Sequence, residues 1–192
     1  MEIDYFDNKD FSLIEEINKT GRRYKALVIL YGPADYGKTG ILKQFIHKKT
    51  GNRQKTTGDV RCVFHANSQG FCVCTGGDNR KIVEMNCATF DRVAASMGSP
   101  LICISAARIG NGSTSVADVF DYYSRKIRDD CYITLWINIK ELLATASRLA
   151  GVSGYDKSKD LKHQAINGRS IDNLTDKACE LLDKQIQEIE KL

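Results

Sequence analysis

Apolar residues in this chain form two kinds of pattern that follow one another along the sequence. The runs "YKALVILYG" (24–32), "LICIS" (101–105) and "DCYITLWIN" (130–138) are apolar without alternation, as expected of strands buried on both faces of a sheet. Between them, apolar residues recur every three or four positions along 40–50, 80–96 and 139–150, which predicts helices. The order of elements predicts an α/β fold with a mostly parallel sheet and helices on both faces.

Further helices are predicted outside this central part. The segments "FSLIEEINKT" (11–20) and "SVADVFDYYSRKIR" (115–128) have helical spacing, whereas 152–168 has weak periodicity and is predicted to be a surface loop or short turns. Residues 171–192 predict an amphipathic C-terminal helix whose apolar side would pack on its own sheet or on a second subunit. That side comprises Ile171, Leu174, Ala178, Leu181, Leu182, Ile186 and Ile189.

The stretch "DVRCVFHANSQGFCVCTGGD" (59–78) contains two β-rich runs separated by "ANSQG". Asn, Ser and Gly favour a tight turn, so the stretch predicts a hairpin and one antiparallel strand. In the second run, Cys72 and Cys74 would lie on one face of the strand as reduced core residues.

Composition indicates one soluble domain spanning residues 1–192. The chain is 42% hydrophobic and 27% charged, and its net charge of +4 does not by itself indicate a nucleic-acid or membrane partner. Its seven cysteines are an odd number without C-x-x-C spacing. The start, "MEIDYFDNKDF", has acids where a signal peptide needs bases, and no apolar run approaches the roughly 20 residues that span a bilayer. We therefore expect a cytoplasmic protein.

The stretch "ILYGPADYGKTGIL" (29–42) joins a predicted strand to a predicted helix through a glycine-rich turn. Its central residues fit G-x-x-x-x-G-K-[ST] without a mismatch, in the strand–turn–helix setting that makes this pattern informative. Glycines let the backbone curl so that successive N–H groups point at phosphate oxygens, at the positive end of the helix. The predicted nucleotide-binding residues are Gly32, Pro33, Ala34, Asp35, Tyr36, Gly37, Lys38, Thr39 and Gly40.

Two side chains of this stretch have predicted roles in the chemistry. Lys38 would reach the β- and γ-phosphates of a nucleoside triphosphate as a catalytic cation. The Thr39 hydroxyl would ligate Mg²⁺ bound to the same phosphates.

With this Walker A motif the sequence resembles the P-loop NTPases, and the element order extends the resemblance to about residue 150. The resemblance implies a three-layer α/β/α fold that binds Mg²⁺ with ATP or GTP. It also implies a Walker B aspartate after a nearby strand, for which Asp78 in "FCVCTGGDN" is the best candidate. Asp59 is an alternative, but it precedes a strand and is expected at the wrong end of the sheet.

The predicted hairpin resembles the GTPase-like branch of these proteins, in which an antiparallel strand precedes the Walker B strand. In that branch a threonine before the hairpin senses the γ-phosphate, and Thr56 and Thr57 stand in this interval. The Asn-Lys-x-Asp guanine signature is absent after "LICIS", so guanine specificity is unsupported. "TGGDN" and "SAARIGNGS" are also similar to small bacterial P-loop proteins without an assigned activity.

Three further residues bear on catalysis. Arg108 lies just past the carboxyl end of a predicted strand, where open α/β sheets place ligands, and could stabilise charge on a transferring phosphoryl group. Asp35 would repel a polyphosphate unless its carboxylate turns outward or meets the metal, although aspartate tolerates left-handed backbone angles. Tyr36 could stack on a base, but outward packing is favoured.

A basic stretch follows the motif. Six basic residues between positions 43 and 61 could bind a phosphorylated acceptor or a nucleic-acid backbone, but a solvated helix end and loop is the favoured interpretation. They are Lys43, Lys48, Lys49, Arg53, Lys55 and Arg61.

Three functions fit the sequence: a slow Mg²⁺-dependent NTPase, a kinase acting on a nucleotide or other small acceptor, and a nucleotide-binding switch or interaction protein without turnover. A kinase should have an arginine-rich lid, and here the arginines are scattered. Hydrolysis needs a residue that orients water, for which Gln54, Asp78 and Asn79 are candidates. The NTPase is the favoured hypothesis, with a second copy or another protein as a partner left open.

Overall fold

The computed structural model describes residues 24–55, 57–97, 101–109, 122–123, 131–164, 166 and 171–192. These residues form five strands, four α-helices and a short 3-10 turn. The predicted helix at 11–20 lies outside the described residues, as does that at 115–128 except for Tyr122 and Tyr123. In chain order, the elements are β1 (Tyr24–Gly32), α1 (Lys38–Thr50), β2 (Arg61–Ala66), β3 (Gln69–Cys74), α2 (Arg80–Met97), β4 (Leu101–Arg108), β5 (Cys131–Asn138), α3 (Ile139–Ala150), the 3-10 turn (Leu161–His163) and α4 (Ile171–Glu190).

The strands form one mixed sheet in the order β2-β3-β4-β1-β5. β1 pairs in parallel with β4 and β5, and β3 pairs in parallel with β4, so the carboxyl ends of these four strands share one edge. β4 lies between β1 and β3. The mostly parallel α/β fold predicted from the apolar pattern is confirmed.

The predicted hairpin is also confirmed. β2 pairs antiparallel with β3, and the turn between them consists of Asn67 and Ser68. Both residues have positive φ, 50° and 66°, which matches the right-handed twist of a two-residue hairpin.

Side chains of β1 divide between two apolar clusters. Ala26, Val28 and Leu30 belong to a cluster with residues of α1, α3 and α4. Leu27 and Ile29 belong to a second cluster that contains residues of α2, together with Cys72 and Cys74 as predicted. Because successive strand residues point to opposite faces, the sheet is covered by helices on both sides.

α1 ends as its sequence predicts. Gly51 adopts φ 74°, and its N–H donates to the His47 carbonyl at 2.8 Å, which caps the helix. The basic last turn of α1 forms ion pairs within the fold. Lys49 Nζ contacts carboxylate oxygens of Asp183 at 3.0 Å and Glu190 at 2.9 Å. These ion pairs join α1 to α4.

α4 packs on α1 and α3 of its own chain. Most of its predicted apolar stripe is buried there, including Leu174, Leu181 and Leu182, whereas Ile171 is 39% exposed. The described helices include none with the length and apolar character needed to cross a lipid bilayer.

The packing of α4 predicts the effect of shortening one of its leucines. Leu182→Ala should lower the free energy of unfolding by about 2–5 kcal/mol, because the side chain is fully buried and its removal leaves a cavity. Leu149→Ala, at a side chain that is 58% exposed on α3, should change it by less than about 0.5 kcal/mol. Urea denaturation at two protein concentrations tests this, and a Leu182→Ala loss that depends on concentration would point to a second subunit instead.

Candidate functional site

The loop between β1 and α1 has a backbone that few residue types can adopt. Gly32, Asp35 and Gly37 have positive φ values of 144°, 61° and 77°. A Cβ on Gly32 would collide with the Ile139 side chain at the start of α3, so the end of β1 must be glycine. Asp35 takes a left-handed conformation that aspartate tolerates.

Lys38 is folded back into this loop. Its side chain is buried, and Nζ donates to the carbonyl oxygens of Gly32, at 2.9 Å, and Pro33. The pKa of Lys38 is lowered to about 8, chiefly by burial; the Arg108 charge also lowers it, whereas the Asp78 and Asp35 charges raise it. The ammonium is therefore short of anionic partners, which an arriving anion would supply.

The loop after β3 forms a second wall of the site. The Thr39 hydroxyl in the first turn of α1 donates to the Thr75 carbonyl at 3.1 Å. Thr75 is itself held by Val60, whose N–H donates to Thr75 Oγ1 at 2.8 Å and whose carbonyl accepts from Thr75 N–H at 2.9 Å. The end of β3 is thus tied to the first turn of α1, although β4 separates β3 from β1 in the sheet.

Gly76 and Gly77 bring this loop close to its neighbours. A Cβ on Gly77 would collide with the Ala106 carbonyl, and the Gly77 carbonyl accepts from Arg108 N–H at 2.7 Å. The Gly76 carbonyl accepts from the Asn86 side-chain amide at 2.8 Å. Asp78, which follows directly, is placed by this close packing.

A buried polar network holds the loop after β3 in place. Asn86 Nδ2 also donates to Ser105 Oγ at 3.1 Å, and the Tyr123 hydroxyl donates to the same oxygen at 3.0 Å. Burial raises the pKa of Tyr123, so the phenol stays protonated and acts as a donor. No sequence pattern indicates this network, because its members are far apart in the chain.

Residues 152–164, which we call the strap, run beside the β1–α1 loop. Leu161 N–H donates to the Asp35 carbonyl at 3.1 Å, and the buried Leu161 side chain packs close to Gly37. The Tyr36 hydroxyl donates to the Lys157 carbonyl at 3.4 Å. The described part of this segment is thus a largely exposed loop with short turns, as predicted, and its buried Leu161 covers the β1–α1 loop.

The strap corrects the expectation for Tyr36. Outward packing was favoured, but the side chain is only 4% exposed and joins the apolar core. The Lys140 ammonium lies 5.1 Å from the centre of its ring. Tyr36 is covered because the strap and α3 close over it.

Asp35 pairs with a residue of the strap. Its carboxylate forms an ion pair with Lys162, and both side chains are exposed. Asp35 lies in the middle of the G-x-x-x-x-G-K-[ST] pattern, and its negative charge is thereby neutralised by Lys162, which lies more than a hundred positions later in the chain.

These loops enclose a cleft of about 450 Å³ at the carboxyl edge of the sheet. Thr75, Gly77, Leu161 and Lys162 line it too, and sequence reasoning had not placed them there. Gly32, Pro33, Tyr36 and Gly40, although described, are not among its lining residues. The predicted site residues that line it are Ala34, Asp35, Gly37, Lys38, Thr39, Asp78 and Arg108.

Other candidates lie elsewhere. Thr56 is outside the described residues, and Thr57 is exposed and does not line the cleft. Gln54 donates to the Asn52 carbonyl, and Asn79 accepts from Ile82 N–H at the start of α2. Of the three candidates for orienting water, Asp78 alone lines the cleft.

Asp59 corrects a second expectation. It was assigned to the wrong end of the sheet because it precedes a strand, yet a Cβ on Gly76 would collide with its carboxylate. Since β2 runs antiparallel to β3, the start of β2 lies beside the end of β3. Asp59 therefore lies at the same edge as Asp78, but does not line the cleft.

The oxygen atoms in the cleft suit a magnesium ion whose remaining ligands come from a bound molecule such as a substrate. The Thr39 hydroxyl and the Asp78 carboxylate are hard oxygen donors on two loops of one cleft. Within the described ranges, no three His, Cys, Asp or Glu side chains gather as a metal site. Mg²⁺ is usually bound by one or two carboxylates together with substrate phosphates, and Thr39 and Asp78 fit that kind of site.

Comparisons with protein-family models, with curated proteins and with solved structures found no match for this chain. A function can therefore be argued only from the residues and geometry of the cleft. The cleft combines the buried Lys38 ammonium at the N-terminus of α1 with further side chains of two kinds. These are the basic side chains of Arg108 and Lys162 and the oxygen donors of Thr39 and Asp78. This set suits an anionic ligand that carries a hard divalent cation.

The lowered pKa of Lys38 predicts how stability changes with pH. Between pH 8 and 10.5 the unfolded chain keeps a proton on this lysine that the folded chain has lost, so folding is favoured increasingly as the pH rises. From pH 7 to pH 10 the wild type should gain about 2–3 kcal/mol in free energy of unfolding relative to Lys38→Met. Urea denaturation of both proteins across this range tests it; parallel pH profiles would contradict the burial of a charged Lys38.

Proposed function

We propose that this protein is a Mg²⁺-dependent, nucleoside-triphosphate-binding P-loop protein that hydrolyses ATP or GTP slowly. The observation that carries the proposal is the buried Lys38 ammonium, enclosed by the β1–α1 loop and facing a cleft shared with Asp78 and Arg108. Helices on both faces of the mostly parallel sheet support a three-layer P-loop fold.

The phosphates would bind at the start of α1. The first N–H groups of a helix have no partner within it and lie at its positive end, where they bind phosphate oxygens well. Lys38 begins α1, so its ammonium would add a full positive charge at the same place. Phosphate oxygens would offset the desolvation that now lowers the pKa of this lysine.

Thr39 and Asp78 would hold Mg²⁺ together with the phosphates, and the ion would neutralise charge on their oxygens. Thr39 fits this role because its hydroxyl is already at the end of β3, where it donates to the Thr75 carbonyl. Asp78 fits because the close packing of Gly77 on Ala106 places it in the cleft.

Two residues, Arg108 and Asp78, support the proposal that the protein hydrolyses the bound nucleotide. Arg108 is the last residue of β4, lines the cleft and lies close enough to lower the pKa of Lys38, so its guanidinium could stabilise charge on a transferring phosphoryl group. A carboxylate such as Asp78 could orient a water molecule for attack on the terminal phosphate. Lys38 itself would remain protonated beside the phosphates and stabilise the same charge.

Thermal unfolding with Mg²⁺ and each of ATP, GTP, ADP and GDP tests the proposal, with phosphate release followed in the same samples. A nucleotide at 100 times its dissociation constant should stabilise the wild type by about 2.7 kcal/mol. For a chain of this length that raises the midpoint by about 5–10 °C. ATP or GTP should also release phosphate slowly.

Lys38→Met should remove the stabilisation by nucleotide while the fold is retained, because the cation is lost but its aliphatic stem is replaced. Lys81→Met is the matched control, since Lys81 is an exposed lysine on α2 outside the cleft. Undiminished nucleotide affinity in Lys38→Met would contradict the binding site. Binding without any phosphate release would contradict the hydrolase and leave a switch or a kinase.

A further inference from the structure

Lys162 lies at the mouth of the cleft, and three contacts fix its backbone there. Its neighbour Leu161 is buried, packs close to Gly37 and donates its N–H to the Asp35 carbonyl at 3.1 Å. The Asp160 carboxylate accepts from His163 N–H at 3.0 Å, which stabilises the 3-10 turn. Lys162 therefore has a fixed backbone and a long, exposed side chain that lines the same cleft as Lys38.

The partner of Lys162 is easily exchanged. Its ion pair with Asp35 is solvent-exposed, with 70% of the lysine side chain and 49% of the aspartate side chain accessible. Exposed ion pairs contribute little to stability, because water solvates both charges well. A polyphosphate carries several negative charges where the carboxylate carries one, and its oxygens form charge-assisted hydrogen bonds with an ammonium.

We infer that Lys162 is a phosphate-binding residue supplied by the strap, which exchanges Asp35 for the polyphosphate of the ligand. This inference rests on the proposed function and deepens it. The strap thereby adds a second lysine to the phosphate site from a distant part of the chain. Asp35 acts in the opposite direction, since it competes with the ligand for the lysine and repels phosphate.

The test measures dissociation constants of Mg²⁺ complexes of ATP, GTP and tripolyphosphate by calorimetry. Lys162→Met should weaken binding about three- to fivefold, and the loss should be the same for tripolyphosphate as for the preferred nucleotide, because the lysine contacts phosphates alone. The loss should shrink at high salt, which screens exposed charges. Asp35→Asn, which keeps a residue that tolerates left-handed angles, should tighten binding a few-fold.

Lys159→Met is the matched control, because Lys159 is an exposed lysine of the same strap that pairs with Asp156 outside the cleft. It should bind as the wild type does. Wild-type affinity in Lys162→Met, or a loss seen with nucleotide and not with tripolyphosphate, would overturn this inference and leave the proposed function standing. A wild type that binds none of the three ligands would overturn both.

Discussion

Burying the Lys38 ammonium at the carboxyl edge of the sheet carries an energetic cost that the surrounding loops offset only in part. Desolvation outweighs the attraction of nearby carboxylates, which is why the pKa of this lysine is lowered to about 8. The carbonyl oxygens of Gly32 and Pro33 stabilise the ammonium, and the β1–α1 loop can present them because Gly32 and Gly37 adopt positive φ. An anion in the cleft would supply the negative partner that this ammonium lacks.

Close backbone packing brings the other parts of the cleft to this lysine. Gly77 packs on Ala106, and Gly32 packs on Ile139, at places where no side chain would fit. The loops after β1, β3 and β4 can therefore meet at one edge, although β4 lies between the other two strands. The strap completes the assembly, since Leu161 covers the β1–α1 loop and the Lys162–Asp35 ion pair neutralises its one carboxylate.

Sequence patterns predicted the features that depend on neighbouring residues. The apolar runs gave the strands, "ANSQG" indicated the hairpin, and the glycines of 32–39 indicated an unusual turn before α1. Contacts between distant segments were beyond such patterns: the strap has weak periodicity, yet buries Tyr36 and pairs with Asp35. The position of Asp59 was predicted wrongly, although the hairpin was predicted. An antiparallel β2 begins at the edge where β3 ends, and the prediction for Asp59 did not take this into account.

The structure of the protein with Mg²⁺ and a non-hydrolysable ATP or GTP analogue tests the central claim most directly. The account predicts phosphates at the start of α1, with Lys38 Nζ at about 3 Å from a phosphate oxygen. A nucleotide bound elsewhere on the protein, or bound phosphates whose oxygens all lie beyond hydrogen-bond distance of Lys38 Nζ, would contradict it.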